Sequence, residues 1–306
     1  MKTLYPKQQD ALDFFLAKHK LGSNSLDTSH VGTGKTVVAA HLAKALNRPV
    51  AVLCPKAVIP SWERELKETG IEPLFVLNYE KIRTGRTDFM TKRGKKIMKW
   101  NLPKNTLVLV DEVHRCKGPY TQNAQLLVSL VAQGYSIHAM SATAAEDPTE
   151  MRPIGYALGL HNLNKAEDGV KSWFGWMMQY GCSQNQWNAW ELRRKTKLSD
   201  LNKVMYGKNV KRLTVDDFPD SFKANRVFVE PIAFGSAAKI AKAYKDLDIT
   251  PEIIKNLLEN GTVEDSDWVL VNLLRARQLA ESLKAKDMAD MAKDYVEQGH
   301  SVVLFV

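Results

Sequence analysis

Through the first half of the sequence short apolar runs alternate with longer amphipathic stretches, and that alternation leaves few architectures open. Residues 49–54, 74–77, 106–110 and 136–140 read as strands. Residues 8–18, 35–46, 60–68 and 122–131 read as helices, with Gly70 as a stop signal after the third. Alternating strands and helices predict an α/β fold with a parallel sheet covered on both faces. From about residue 150 to 212 the pattern turns helical and aromatic. A strand-like run at 226–230 reopens α/β character, helices are expected over 236–247, 267–283 and 285–297, and 301–306 reads as an apolar strand.

The 306 residues suffice for two modest domains, and 44% hydrophobic with 25% charged residues excludes a disordered or fibrous chain. No apolar run approaches the roughly 18–20 residues of a membrane-spanning helix. The start lacks the apolar stretch of a secretory signal, so no membrane partner is expected. Cys54, Cys116 and Cys182 are odd in number and form no CxxC pair. That argues against a disulfide framework or a structural zinc and for a reducing compartment. The net charge of +9 is concentrated. Residues 81–99 hold eight basic side chains against Asp88, and residues 193–212 hold eight against Asp200. The rest of the chain is acidic. Such clusters are either solvated faces or sites for a polyanion, whose counterions they displace.

The residues that carry chemistry follow the strand ends. Ser29-His30-Val31-Gly32-Thr33-Gly34-Lys35-Thr36 approximates the phosphate-loop pattern, with Ser29 in place of its first glycine. Glycines let backbone N–H groups approach phosphate oxygens, and the next helix adds its dipole. Lys35 is then the candidate for the β/γ-phosphates, and the Thr36 hydroxyl for Mg²⁺. Asp111-Glu112-Val113-His114 follows the strand-like Leu107–Val110 run at its C-terminal end, where ligands of open parallel sheets bind. Two adjacent carboxylates there require a compensating cation. Asp111 would hold Mg²⁺, and Glu112 would orient and deprotonate a water. Ser141-Ala142-Thr143 closes the next strand, where small hydroxyl residues can hydrogen-bond the acidic motif and relay its state.

In order and spacing these three motifs resemble motifs I, II and III of superfamily 2 helicase-type ATPases, with a DEAH-like acidic motif, and most closely the Swi/Snf-type DNA translocases. Leu4-Tyr5-Pro6-Lys7-Gln8 is similar to the family's Q-motif, which makes Gln8 the candidate for adenine beside the Gly32, Thr33, Gly34, Lys35 and Thr36 loop. Leu53-Cys54-Pro55-Lys56 followed by Trp62 resembles motif Ia, and Asn78-Tyr79-Glu80 the next segment. The resemblance implies DNA contacts at Pro55, Lys56 and Tyr79, with phosphate contacts at Lys92, Arg93, Lys95 and Lys96 on an irregular surface segment. It implies that His114, Ser141 and Thr143 couple the nucleotide site to DNA. Lys211-Arg212-Leu213 with Phe218-Pro219 is similar to the Swi/Snf basic pair ahead of its "LP" element. Two positions depart: Thr33 where the Swi/Snf loop has Leu, and Ala144 where a proline is usual.

The expected organisation is a RecA-like lobe over 1–158, a helical aromatic and basic insertion over 159–223, and the start of a second RecA-like lobe over 224–306. The family's arginine finger lies beyond the first strand of that second lobe, so the sequence reads as cut short and weakly active by itself. The implied function is an ATP- and Mg²⁺-dependent motor acting on duplex or forked DNA rather than on single strands. A strand-separating helicase, a restriction-type translocase subunit and a non-motor ATP-dependent DNA-binding switch are the alternatives. The expected location is the cytoplasm of a bacterial or phage-infected cell, or the nucleus if the source is eukaryotic. Trp173, Trp176, Trp187 and Trp190 are spaced as the faces of two helices, which suits core packing. The Arg193-Arg194-Lys195 run after them leaves base stacking open.

Overall fold

The computed structural model describes residues 2–93, 97–218, 235–246 and 266–304. The chain divides into two compact units, Met1–Ala224 and Asn225–Val306.

The first unit is built on six parallel strands: β1 (Ser25–Asp27), β2 (Val50–Cys54), β3 (Phe75–Asn78), β6 (Leu107–Asp111), β7 (Ser136–Met140) and β10 (Val210–Lys211). Their order across the sheet is β10-β1-β7-β6-β2-β3. Helices cover both faces, which is why the central strands are apolar without alternation. Val52, Leu107 and Leu109 face Ala39 and Ala43 of α2 (Lys35–Leu46) and Trp62 and Leu66 of α3 (Ile59–Thr69). Leu53, Val108, Val110 and Ile137 share the opposite core with Leu126 and Leu130 of α5 (Gln122–Ala132). Helix α1 (Pro6–Lys20) packs Ala11, Leu12 and Phe15 on Val38 and Leu42, with Leu213 and Phe218 completing that cluster. The four expected strands and four expected helices of this unit are present to within two residues. Gly70 ends α3 in the left-handed conformation at φ +74°, which only glycine adopts freely.

The segment 92–99, expected to be irregular, is strand on both sides of residues 94–96, which lie outside the described residues. Strands β4 (Met90–Arg93) and β5 (Ile97–Trp100) form an antiparallel hairpin. Met98 and Trp100 are buried while Lys99 points outward, a two-residue period masked by the density of charge. The Trp100 indole N–H donates to Ser129 Oγ at 2.8 Å. The tryptophan cluster also departs from two helical faces. Helix α7 (Trp173–Gln179) is followed by Gly181 at φ +90°, and the chain turns into a hairpin of β8 (Cys182–Gln184) and β9 (Trp190–Leu192). Trp173 and Trp176 are buried, Trp190 is half-buried, and Trp187 stands in the hairpin loop, 78% exposed. Segment 159–218 continues through α8 (Lys197–Lys208) into β10, which pairs with β1 at the edge of the main sheet. Short helices α4 (Tyr79–Ile82) and α6 (Arg152–Ala157) complete the α-helices among the described residues of this unit.

In the second unit, α9 (Ala237–Lys245) packs on α10 (Ser266–Glu297), which runs unbroken where two helices were expected. Ser236 Oγ–H donates to Leu283 O at 3.0 Å, and Gly235 N–H to Asp287 Oδ2 at 3.0 Å. The expected strand at 226–230 lies outside the described residues. Residues 301–304 form no strand, and no strand of this unit lies among the described residues to pair with them. Among the described residues no helix is long and apolar enough to cross a membrane.

Candidate active site

The phosphate-like loop connects β1 to α2. Gly32 and Gly34 both have positive φ, +84° and +88°. A side chain at Gly34 would also collide with Gln8, since its Cβ would lie 2.4 Å from Gln8 Nε2. Gly34 is therefore required by the turn, and its missing side chain leaves room for the Gln8 carboxamide. The Gln8 carboxamide is buried there. It donates to Thr33 O at 2.8 Å and accepts from the Tyr5 N–H at 3.0 Å. One N–H and one lone pair remain to it. The Lys35 ammonium lies back over the loop, donating to Ser29 O at 2.7 Å and His30 O at 3.0 Å. Thr36 follows in the first turn of α2, half-buried.

Strand order then does what linear order does not show. β7 lies between β1 and β6, with Met140 in register with both Asp27 and Asp111. Ser141-Ala142-Thr143 therefore leaves the sheet between the loop and the acidic motif. Ser141 N–H donates to Asp27 O at 3.0 Å, while its hydroxyl donates to Glu112 Oε2 at 3.2 Å. His114 Nδ1 lies 3.0 Å from both Glu112 Oε2 and Ser141 Oγ. Thr143 N–H donates to Ser141 Oγ at 3.3 Å. Glu112 takes φ +52°, uncommon for a residue with a side chain, and turns from β6 into a 3-10 turn over Val113–Cys116.

Asp111 is braced from two sides. Its Oδ2 accepts from the Trp62 indole N–H at 2.8 Å, and its Oδ1 from the Glu112 N–H at 2.9 Å. Burial pushes its carboxyl above the ordinary range, opposed by the Trp62 bond and by Lys35. Trp62 is fully buried, so it holds the acidic motif from within the core. Tyr79, expected to contact DNA, is corrected. It is fully buried, and its hydroxyl donates to Asp111 O at 2.5 Å, so its ring cannot reach DNA. Indole and phenol were the signal available in the sequence: buried, each needs a partner for its polar end, and the site supplies one.

Two further contributors were not read from the sequence. Asp27, at the end of β1, is buried and accepts from the Ser29 N–H at 2.8 Å; burial raises its pKa against the pull of that bond and of Lys35. β1 is three residues long and ends in this acid, too short for any pattern. Residues after α8 clamp the loop. Leu213 N–H donates to Ser29 Oγ at 2.8 Å, His30 N–H to Leu213 O at 2.8 Å, and Arg212 Nη2 lies 2.8 Å from His30 Nε2. The expected basic pair thus meets the loop through Arg212. Pro219, quoted with it, lies outside the described residues.

Of the expected backbone contacts, Pro55 and exposed Lys56 lie just beyond the C-terminal end of β2. Lys92 Nζ lies on β4, 3.4 Å from Gln122 Oε1. Arg93 is on the same strand, and Lys95 and Lys96 lie outside the described residues.

No family model matches the chain. A protein of Acanthamoeba polyphaga mimivirus that carries the name of an ATP-dependent RNA helicase is 27% identical over 310 residues, covering 92% of this chain. This chain spans 56% of that relative's length. The SWI2/SNF2 ATPase core of Sulfolobus solfataricus, solved with double-stranded DNA, is 17% identical over 96% of this chain and 65% of its own, at a TM-score of 0.49. The same core domain in a second structure is 18% identical over 91% of this chain and 57% of its own, also at 0.49. In the first unit the loop, the acidic motif and the hydroxyl motif converge at the C-terminal ends of β1, β6 and β7.

Proposed function

We propose that the chain binds ATP between the Gly32–Thr36 loop and Asp111–Glu112 and is part of a motor that couples ATP hydrolysis to movement along nucleic acid, duplex or forked DNA first. The observation that carries this is the Glu112–His114–Ser141 network, which ties the residue suited to activate water to the strand end beside the phosphate loop. The positive-φ glycines free N–H groups for phosphate oxygens. Lys35 exchanges its two carbonyl partners for phosphate charge, and Gln8, already bonded to Thr33 O, offers its remaining donor and acceptor to adenine. Thr36 and Asp111 would hold Mg²⁺, which when bound neutralises phosphate charge. Glu112 orients water and accepts its proton. His114, Ser141 and Thr143 transmit the state of Glu112 toward the nucleic-acid face, for which Lys56 and the two basic segments are the candidates. We further read the lobe as Swi/Snf-like, with residues 224–306 belonging to a second lobe. The arginine finger, worth ~10³–10⁵ in rate in related NTPases, is not among the motifs read in these 306 residues, so turnover by this chain alone is slow.

Steady-state ATP hydrolysis tests the reading, run with no nucleic acid, single strands, duplex DNA, forked DNA and duplex RNA, with Lys35→Ala as the blank. RNA is included because the mimivirus relative carries the name of an RNA helicase. Low basal turnover stimulated by duplex or fork supports the DNA motor, and stimulation by RNA alone reassigns the track. Turnover indifferent to every nucleic acid overturns the proposal.

A second prediction concerns the brace on Asp111. Trp62→Phe keeps the ring and deletes the N–H, a bond to a charged group worth about 1.5–3 kcal/mol. The Mg²⁺ concentration giving half-maximal hydrolysis should rise about tenfold at neutral pH. An unchanged Mg²⁺ dependence would reduce the bond to a structural one.

A further inference from the structure

A pocket of about 390 Å³ opens on the first unit beside the acidic motif, lined by none of the residues assigned above to ATP. Four aromatic side chains, Tyr120, Trp173, Phe174 and Trp190, line it together with Lys117 and Glu150. Their rings form a continuous run, with centroids 6.4 Å apart from Tyr120 to Trp173, 5.1 Å from Trp173 to Phe174 and 5.5 Å from Phe174 to Trp190. The Arg152 guanidinium lies 4.9 Å from the Tyr120 ring and 5.7 Å from that of Trp173, held by its bond to Pro119 O at 3.1 Å. Yet the run is not closed over, since Tyr120 is 66% and Phe174 39% exposed. Packed aromatic rings left open to water mark a surface that something else covers.

The charge pattern identifies the occupant. At the rim Lys117 and Glu150 pair with each other at 2.9 Å, so the charge left at the aromatic faces is the Arg152 guanidinium stacked on Tyr120 and Trp173. The basic run Arg193-Arg194-Lys195 follows directly on the strand that supplies Trp190. A neutral flat ring on a chain of phosphates fits both features, because base–aromatic stacking tolerates any base and the phosphates take the adjacent cations. The pocket wall Lys117–Tyr120 also continues from the 3-10 turn that carries His114.

We propose that this pocket takes one unpaired nucleobase, at a fork or a strand end, of the nucleic acid on which the lobe acts. The proposal rests on the motor reading and names the feature of the substrate that this lobe senses. Its test uses the full chain and a forked DNA carrying 2-aminopurine at the first unpaired position, against a blunt duplex of the same sequence. The wild type should bind the fork more tightly than the duplex and quench the fluorophore on binding. Tyr120→Ala and Phe174→Ala, both at exposed positions, should weaken fork binding about tenfold each and abolish the quench. Duplex affinity and thermal unfolding should stay as in the wild type. Equal wild-type affinity for fork and duplex without quenching overturns the pocket as a base site and leaves the motor reading standing. Equal losses on fork and duplex in the variants overturn it as a base site. Binding of neither DNA by the wild type overturns DNA as the track and the pocket as a site for its bases.

Discussion

Glu112→Gln should lower ATP hydrolysis about 10²–10⁴-fold while leaving ATP affinity within a factor of a few, because the substitution keeps the shape of the side chain and removes its ability to take a proton. The position is prepared for that role. Glu112 leaves β6 at φ +52°, a conformation held against its intrinsic cost by Asp111 Oδ1, which accepts its N–H at 2.9 Å. Its carboxylate is already oriented by Ser141 and His114. The measurement is single-turnover hydrolysis beside equilibrium binding of a fluorescent ATP analogue. Hydrolysis that survives would remove Glu112 from catalysis, and loss of binding along with turnover would make its part structural. Ser141→Ala separates the orienting hydroxyl from the base. It should reduce nucleic-acid-stimulated turnover more than basal turnover, since the network is proposed to carry the signal rather than the proton.

The second large effect is acid sensitivity of the first unit. His19, His138 and His161 are fully buried, and burial lowers the pKa of each, that of His19 and His161 to about 4. His19 bridges Ser136 Oγ at 2.9 Å and Ser25 Oγ at 2.8 Å, and Ser25 Oγ lies 2.8 Å from His138 Nδ1. The neutral rings thus bind α1 to β1 and β7 just below the site. A histidine whose pKa is depressed by folding contributes its full stability above the unfolded value near 6.5. That contribution is lost as pH falls from about 6.5 toward 4, because the unfolded chain takes up the proton first. At 1.36 kcal/mol per unit, His19 alone accounts for about 3 kcal/mol over that window. Asp27 and Asp111, whose pKa values burial raises, act in the opposite sense at the acid end. The slope must therefore be read as a difference between variants. Urea unfolding at pH 7, 6 and 5 with tryptophan fluorescence reports on this unit, which holds six of the seven tryptophans. His19→Gln should be less stable at pH 7 and should flatten the pH dependence by about one proton. An unchanged slope would show that His19 is not the group responsible.

How much was legible from sequence can be judged element by element. Val50–Cys54 and the four apolar residues that open Leu107–Asp111 announced themselves, since short apolar runs rich in valine suit a strand covered on both faces. The phosphate loop and the acidic motif were equally plain, because glycine at φ near +85° and paired acids at a strand end are requirements of residue type. Asp27 was not legible, nor was β10. Strands of three and two residues carry no period, and they form because neighbours already in place offer them backbone partners. The hairpin at 90–100 was hidden by its own charge, and the tryptophan pair at 187 and 190 was misread because helical spacing also occurs by chance across a turn.

What the chain's chemistry determined by itself is local: which residues can approach a phosphate, which can hold a cation or take a proton, and which runs must be buried. What only the tertiary structure decided is adjacency. β7 inserts between β1 and β6 and brings Ser141 within hydrogen-bonding distance of residues 114 and 29 positions apart in sequence from it. Trp62 and Tyr79 turn inward to brace Asp111, rather than outward, because the buried carboxylate and carbonyl need donors and these rings carry them into an apolar core. Parallel pairing across long crossovers sets those partners, and the sequence distance between them holds no trace of it.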